Sequence, residues 1–109
     1  MGAERRKSPR VVVTDVSTRV TVGSETLTGQ MQDICRDAAL VEVERSIPLQ
    51  THATIEVELP GVKGLIRASG HVIRVAPYGD GRHSVAILFD ELRAEHQLRI
   101  DLFISEQEA

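Results

Sequence analysis

The sequence has no tryptophan, one tyrosine and two phenylalanines among its 109 residues. Proteins that bind single-stranded nucleic acids or RNA loops usually stack the bases on aromatic side chains, so this shortage argues against such a platform. The net charge of -3 points the same way, because DNA- and RNA-binding domains are usually basic. We therefore expect neither DNA nor RNA as a partner.

Cysteine is equally scarce, since Cys35 is the only one and no disulfide can form within the chain. This is typical of a reducing compartment, and we expect a cytoplasmic protein. No apolar run approaches the length that spans a membrane, so membrane insertion is not expected. The first residues also lack the apolar stretch of a signal peptide.

The dominant pattern in the chain is alternation of apolar and polar residues, which is typical of half-buried strands. Six such runs are separated by turn residues. They are Val16–Val22 (with Val11–Val13 as its start), Thr26–Met31, Ala39–Val43, Thr54–Leu59, Ile66–Val75 and Val85–Phe89. In the fifth run the apolar residues change parity near Val72 and Ile73, which predicts a β-bulge or bend.

The pattern changes after the last run. Asp90 is predicted to cap a helix in which Leu98 and Leu102 lie four residues apart. We expect one all-β domain over residues 1–109: an arginine-rich arm (1–10), an antiparallel β-barrel (11–89) and a short C-terminal helix (90–104).

Two short segments carry side chains suited to a nucleotide. Arg6 and Arg10 are separated by three residues, and guanidinium forks grip phosphate oxygens or the Hoogsteen edge of guanine. Asp33 opens a loop between two strands, where its carboxylate could accept hydrogen bonds from the N1–H and N2–H₂ of guanine. Taken separately, the first segment also fits a basic tail exposed to solvent, and the second fits a tight turn.

Taken together, the two segments resemble the PilZ domain family, whose signature is R-x-x-x-R followed by [D/N]-x-S-x-x-G. Here the corresponding residues are Arg6-x-x-x-Arg10 and, after one hairpin, Asp33-x-Cys35-x-x-Ala38. The resemblance covers nearly the whole chain, including the late Phe-Asp-Glu-Leu sequence before the helix. It implies a bacterial receptor with a six-stranded antiparallel barrel and a C-terminal helix. Its ligand would be the second messenger cyclic di-GMP, it would need no cofactor, and it would signal through an effector protein.

The resemblance also implies roles for particular residues. Arg6 and Arg10 would clamp phosphates and guanine bases, while Asp33 and the loop containing Cys35 and Ala38 would hold a guanine edge. Arg5 matches a position at which an arginine accompanies binding of a stacked, intercalated pair of ligands. Two cyclic di-GMP molecules per domain are therefore expected, with Arg5 stacked on a base.

Two residues depart from the family signature. Cys35 replaces the serine and is a weaker hydrogen-bond donor and acceptor. Ala38 replaces the glycine, and if that position needs a positive φ, its Cβ costs on the order of 1 kcal/mol. With the lost hydrogen bond, the expected result is a tenfold to hundredfold loss of affinity, roughly. The alternative is a PilZ-like protein-interaction module that binds no nucleotide.

Catalysis is not expected, and no catalytic residue is assigned. No histidine is near Cys35 in sequence to activate its thiol, although one could approach it in space. The histidines are single and widely separated, without the spacing of metal ligands, so no metal site is predicted; they are His52, His71, His83 and His96.

Overall fold

The computed structural model describes residues 10–108, which form six antiparallel strands and one helix. Their bounds are β1 Val11–Val22, β2 Glu25–Ile34, β3 Ala38–Val43, β4 His52–Val57, β5 Ile66–Gly79, β6 Arg82–Glu91 and α1 Ala94–Glu108. Each alternating run in the sequence corresponds to one strand, although the ends differ by a few residues. Leu59, for example, lies beyond the end of β4, just before Pro60, which has no N–H to donate to a strand partner.

The strands form one sheet that closes on itself in the order β1-β2-β3-β6-β5-β4. The last link of the ring is the pairing of Thr18–Thr21 in β1 with Thr54–Val57 in β4. The predicted antiparallel barrel is therefore confirmed. Closure removes free strand edges where β1 and β4 meet, and it gives each strand an inner and an outer face.

The inner face of the barrel holds the apolar core. Residues of one parity from each strand are nearly inaccessible to solvent, as the sequence alternation predicts. The largest fully buried side chains on the strands are Val20, Met31, Ile34, Val41, Val43, Ile55, Val57, Ile66, Val72 and Ile87. The outer-face residues between them are mostly polar or small, although Leu40 and Leu88 also face outward. Any ligand site on the outer wall must be built from these outer-face residues.

Helix α1 packs on the barrel through Ile100, Phe103 and Ile104, which are all buried. Leu98 and Leu102, the predicted apolar pair, instead face solvent and are at least half exposed. Arg99 fixes the helix to the chain before β5 by donating from Nη1 to the carbonyl oxygen of Leu65 over 2.7 Å. The described helix is not long and apolar enough to cross a membrane.

The predicted start of the helix is wrong. Asp90 does not cap α1, because β6 continues to Glu91, which pairs with Ser69 of β5. The backbone of Asp90 is therefore extended, and its carboxylate contacts the ring of His71 at 3.0 Å. The helix begins at Ala94 and continues to Glu108, beyond the expected end at residue 104.

The predicted bulge in the fifth strand is confirmed. Val72 pairs with Ile87 and Arg74 pairs with Ala86, so Ile73 is an extra residue with no partner across the ladder. Val75 then pairs with Val85 on the inner face again. The bulge thus keeps the barrel interior apolar and sets Arg74 on the outer face.

A close approach between β5 and β6 requires glycine at position 70. A Cβ atom added to Gly70 would overlap the carbonyl oxygen of Leu88, a backbone atom that cannot rotate away. Gly70 also lies at a second register shift, where it pairs with Phe89. The two strands come together here only because one of them has no side chain.

We expect Gly70→Ala to lower the free energy of unfolding by about 1–3 kcal/mol, because backbone shifts must relieve the overlap. Urea unfolding followed by circular dichroism measures the change. Arg67→Ala is the matched control, since Arg67 lies on the same strand with an exposed side chain, and it should change stability by about 0.5 kcal/mol or less. Equal stabilities of the two variants would contradict the close approach.

Candidate functional site

A pocket of about 230 Å³ lies on the outer wall of the barrel, where β3, β5 and β6 run side by side next to the start of β1. The residues that line it are Arg10, Asp33, Cys35, Ala38, Ala39, Leu40, Arg74, Ala76, Ser84 and Ala86. Four of the six residues predicted from the sequence are therefore brought together. Arg5 and Arg6, the other two, lie outside the described residues.

The pairing of β1 with β2 sets the position of Arg10. Val11 pairs with Ile34 and Val12 with Asp33, so the residue just before β1 lies beside the end of β2. Nε of Arg10 is 3.6 Å from Oδ2 of Asp33. The arginine side chain is 49% exposed and the aspartate side chain 12%, so the cation reaches solvent while the carboxylate is held in the wall.

The loop after Asp33 is a tight hairpin turn. The N–H of Cys35 donates to the carbonyl oxygen of Ala38 over 2.9 Å, which leaves Arg36 and Asp37 as its two central residues. The N–H of Phe89 in turn donates to the carbonyl oxygen of Asp37 over 2.8 Å. Arg36 points away from the turn and binds Asp101 of α1, with 2.8 Å between Nε and Oδ1. Both central residues are therefore fixed to other elements.

The expected backbone strain at Ala38 is not present. The non-glycine residues with positive φ in the described chain are Asp15, Gln50 and Asp80. Ala38 instead starts β3 and pairs with Leu88, an extended conformation that any residue adopts. The Cβ of Ala38 can affect a ligand only by occupying space in the pocket.

Cys35 lines the pocket as a protonated thiol. Its residue is 8% exposed, and its Sγ donates a hydrogen bond to Oδ1 of Asp37 over 3.2 Å. Burial raises the pKa of the thiol above its ordinary value, and the carboxylate of Asp37 raises that pKa further. A thiol held in this form is a weak donor and a poor nucleophile, which gives no support to a catalytic role.

Among the six pocket residues that the sequence does not predict, Arg74 is the charged one. It lies on β5 next to the bulge, with its side chain on the outer wall that faces the pocket. The signal was present in the sequence, because the change of parity at Val72 and Ile73 determines the face of the next residue. The predicted bulge therefore also places Arg74 on the outer face.

A larger cleft, of about 830 Å³, lies between β1 and the loop that joins β4 to β5. It contains none of the predicted site residues. The arginine that lines it, Arg19, is 3.5 Å from Glu56, which Arg67 also approaches at 3.9 Å. The cleft is lined by three carboxylates and two cationic side chains, whereas the smaller pocket is lined by two arginines and one carboxylate. An anionic ligand therefore fits the smaller pocket better.

The histidines do not assemble into a metal site. Within residues 10–108, no group of three or more histidine, cysteine or acidic side chains is placed to hold a metal ion. Nδ1 of His96 accepts a hydrogen bond from the N–H of Arg67 over 2.8 Å, which joins the helix to β5. The chemistry of this wall thus comes from arginine, aspartate and small apolar side chains.

Solved structures share this fold at low sequence identity. The inhibitor of motility MotI/DgrA from Bacillus subtilis is 14% identical, with a TM-score of 0.83 over 96% of this chain and 52% of that one. The PilZ domain of YcgR from Escherichia coli, solved with cyclic di-GMP, is 15% identical, with a TM-score of 0.76 over 96% and 92%. The PilZ domain of CeSA from a cellulose-synthesizing bacterium is 21% identical, with a TM-score of 0.62 over 94% and 100%.

The chain spans about half the length of the Bacillus subtilis motility inhibitor. No curated protein sequence matches it. The sequence profile of the PilZ domain, however, matches residues 4–106, which is nearly all of the chain. With that match, a closed six-stranded barrel and a C-terminal helix, the chain belongs to the PilZ domain family.

Proposed function

We propose that this domain is a receptor for cyclic di-GMP, which binds in the pocket between Arg10 and the Asp33–Ala38 turn. One observation carries the proposal. Arg10, Asp33, Cys35 and Ala38 come from two short motifs that are separated in sequence by a strand and most of its partner, and all four line one pocket. The structures of relatives that contain cyclic di-GMP, such as the YcgR domain, support the choice of ligand.

The chemistry of the pocket suits such a ligand. A guanidinium group can bind a phosphate or the Hoogsteen edge of guanine through two parallel hydrogen bonds. The carboxylate of Asp33 can accept from the N1–H and N2–H₂ of guanine. The guanidinium of Arg10 is half exposed and 3.6 Å from Asp33, so it can turn to a ligand whose own N–H groups then satisfy the buried carboxylate.

Two further arginines belong to the proposal through the family motif alone. Arg6 would clamp the ligand together with Arg10, and Arg5 would stack on a base of a second, intercalated molecule. Binding of two ligands per chain is the corresponding stoichiometry.

The domain acts by binding and not by catalysis, in our proposal, and an effector protein in the bacterial cytoplasm reads the ligand-bound surface. The thiol of Cys35 fits this role, because burial raises its pKa above the ordinary value and keeps it protonated.

Isothermal titration calorimetry with cyclic di-GMP should show saturable binding of about two ligands per chain. Arg10→Ala should weaken it by about tenfold or more, because a charge-assisted hydrogen bond is worth roughly 1.5–3 kcal/mol. The control is Arg45→Ala, which removes an equally exposed arginine that pairs with Glu25, far from the pocket. Flat heats at high micromolar ligand would overturn the proposal.

The alternative is a module that does not bind the nucleotide. It is supported by the thiol of Cys35, which donates its hydrogen bond to Asp37 and not into the pocket. The double variant Cys35→Ser with Ala38→Gly separates the two. If the domain is a receptor, affinity should rise only about twofold to tenfold, since one hydrogen bond is restored and no backbone strain is relieved. Binding that appears only in the double variant would support the alternative, and unchanged affinity would mean that the turn does not limit binding.

A further inference from the structure

The wall of the pocket opposite Arg10 is a row of three residues on neighbouring strands. Ala86 of β6 pairs with Leu40 of β3 on one side and with Arg74 of β5 on the other. Strands lie about 4.8 Å apart, so Leu40 and Arg74 are separated by roughly 10 Å across this row. The small side chain of Ala86 between them leaves space above the wall.

The bulge directs Arg74 to this row. Val72 and Val75 both face the barrel interior, although they are three residues apart, because Ile73 is unpaired between them. Without the extra residue, strict alternation after Val72 would place position 74 on the inner face. The sheet therefore uses an irregularity in pairing to present a cation at the pocket.

The guanidinium of Arg74 is available to a ligand. Within residues 10–108, no carboxylate lies within 4.0 Å of it, and its side chain belongs to an exposed residue. In this respect Arg74 differs from five other arginines, each of which lies within 4.0 Å of an acidic side chain: Arg19, Arg36, Arg45, Arg67 and Arg82. An anion that reaches Arg74 thus displaces no described ion pair.

The part of this wall that lies between the two arginines, here called the floor, is apolar. It is formed by three alanines and one leucine: Ala38, Leu40, Ala76 and Ala86. A planar base that lies on this floor would exclude water from the pocket. Hydrogen bonds from the two arginines to the ligand are stronger when water is excluded.

From this geometry we propose that Arg74 is a ligand-binding residue that contacts a phosphate or the Hoogsteen edge of a guanine, from the wall opposite Arg10. The inference rests on the proposed function and extends it to a residue outside both sequence motifs. Arg74 supplies a contact on the side of the pocket away from the turn, where Cys35 and Ala38 offer weak ones. The ligand is then held between two guanidinium groups over an apolar floor.

The test compares three variants by calorimetric titration with cyclic di-GMP. Arg74→Ala should weaken binding by roughly fivefold to hundredfold, the range for a lost bidentate contact. Arg74→Lys should be intermediate, because it keeps the charge without the planar fork. Arg67→Ala removes the same charge from the same strand outside the pocket, and it should change the dissociation constant less than twofold.

Ala86→Leu tests the floor independently of charge. Its side chain points outward, so the barrel core is not altered, and thermal unfolding by circular dichroism should give a melting temperature close to that of the unaltered chain. The larger side chain should reduce affinity by roughly tenfold by filling the space between Leu40 and Arg74.

The outcomes distinguish this inference from the proposed function. If the unaltered chain binds and Arg74→Ala behaves like Arg67→Ala, the role of Arg74 is wrong and the proposed function stands. If the unaltered chain does not bind, both are wrong. If Ala86→Leu binds as tightly as the unaltered chain, the ligand does not lie on this floor, and the role of Arg74 is overturned with it.

Discussion

The hydrogen bonds that β1 makes to β2 on one side and to β4 on the other close the sheet into a ring. This closure depends on a register in which apolar residues of every strand face inward, and a slip by one residue would turn that set outward. Towards its start, past a register shift between Val12 and Val16, β1 pairs with β2 at Val12 and Asp33, so Arg10 lies next to a largely buried carboxylate. The position of the pocket is thus a consequence of how β1 pairs with β2 beyond that shift.

Much of this fold could be predicted from the sequence because one face of each strand lies in the apolar core and the other face is in contact with water. Alternation identified all six strands and the bulge in β5. The helix start could not be found in the same way, because Asp90 is a common capping residue and only the pairing of Glu91 with Ser69, distant in sequence, keeps β6 extended past it. The expected burial of Leu98 and Leu102 was wrong for a related reason. Which side of a helix is buried depends on how the helix packs on the barrel, and this contact is distant in sequence.

Some features of the candidate site could be predicted from the sequence, whereas the backbone of Ala38 and the orientation of Arg74 could not. The proximity of Arg10 and Asp33 could be predicted because β1 and β2 form one hairpin. Arg10 precedes the first strand of that hairpin and Asp33 is near the end of the second. The conformation of Ala38 could not be deduced, because a glycine in a family signature can mark either a positive φ or a lack of space, and here the backbone is ordinary. The outward orientation of Arg74 follows only when the extra residue of the β-bulge is counted.

The two central residues of the β2–β3 turn are each held from outside, one through its side chain and one through its carbonyl oxygen. Arg36 is bound by Asp101 of the helix, and Asp37 accepts from the backbone of Phe89. A turn fixed in this way has lost its conformational freedom before any ligand arrives. For the proposed ligand, association on that side of the pocket would therefore cost little of the ordering entropy that a flexible loop would contribute, and weak hydrogen-bonding groups would suffice because they are already in place.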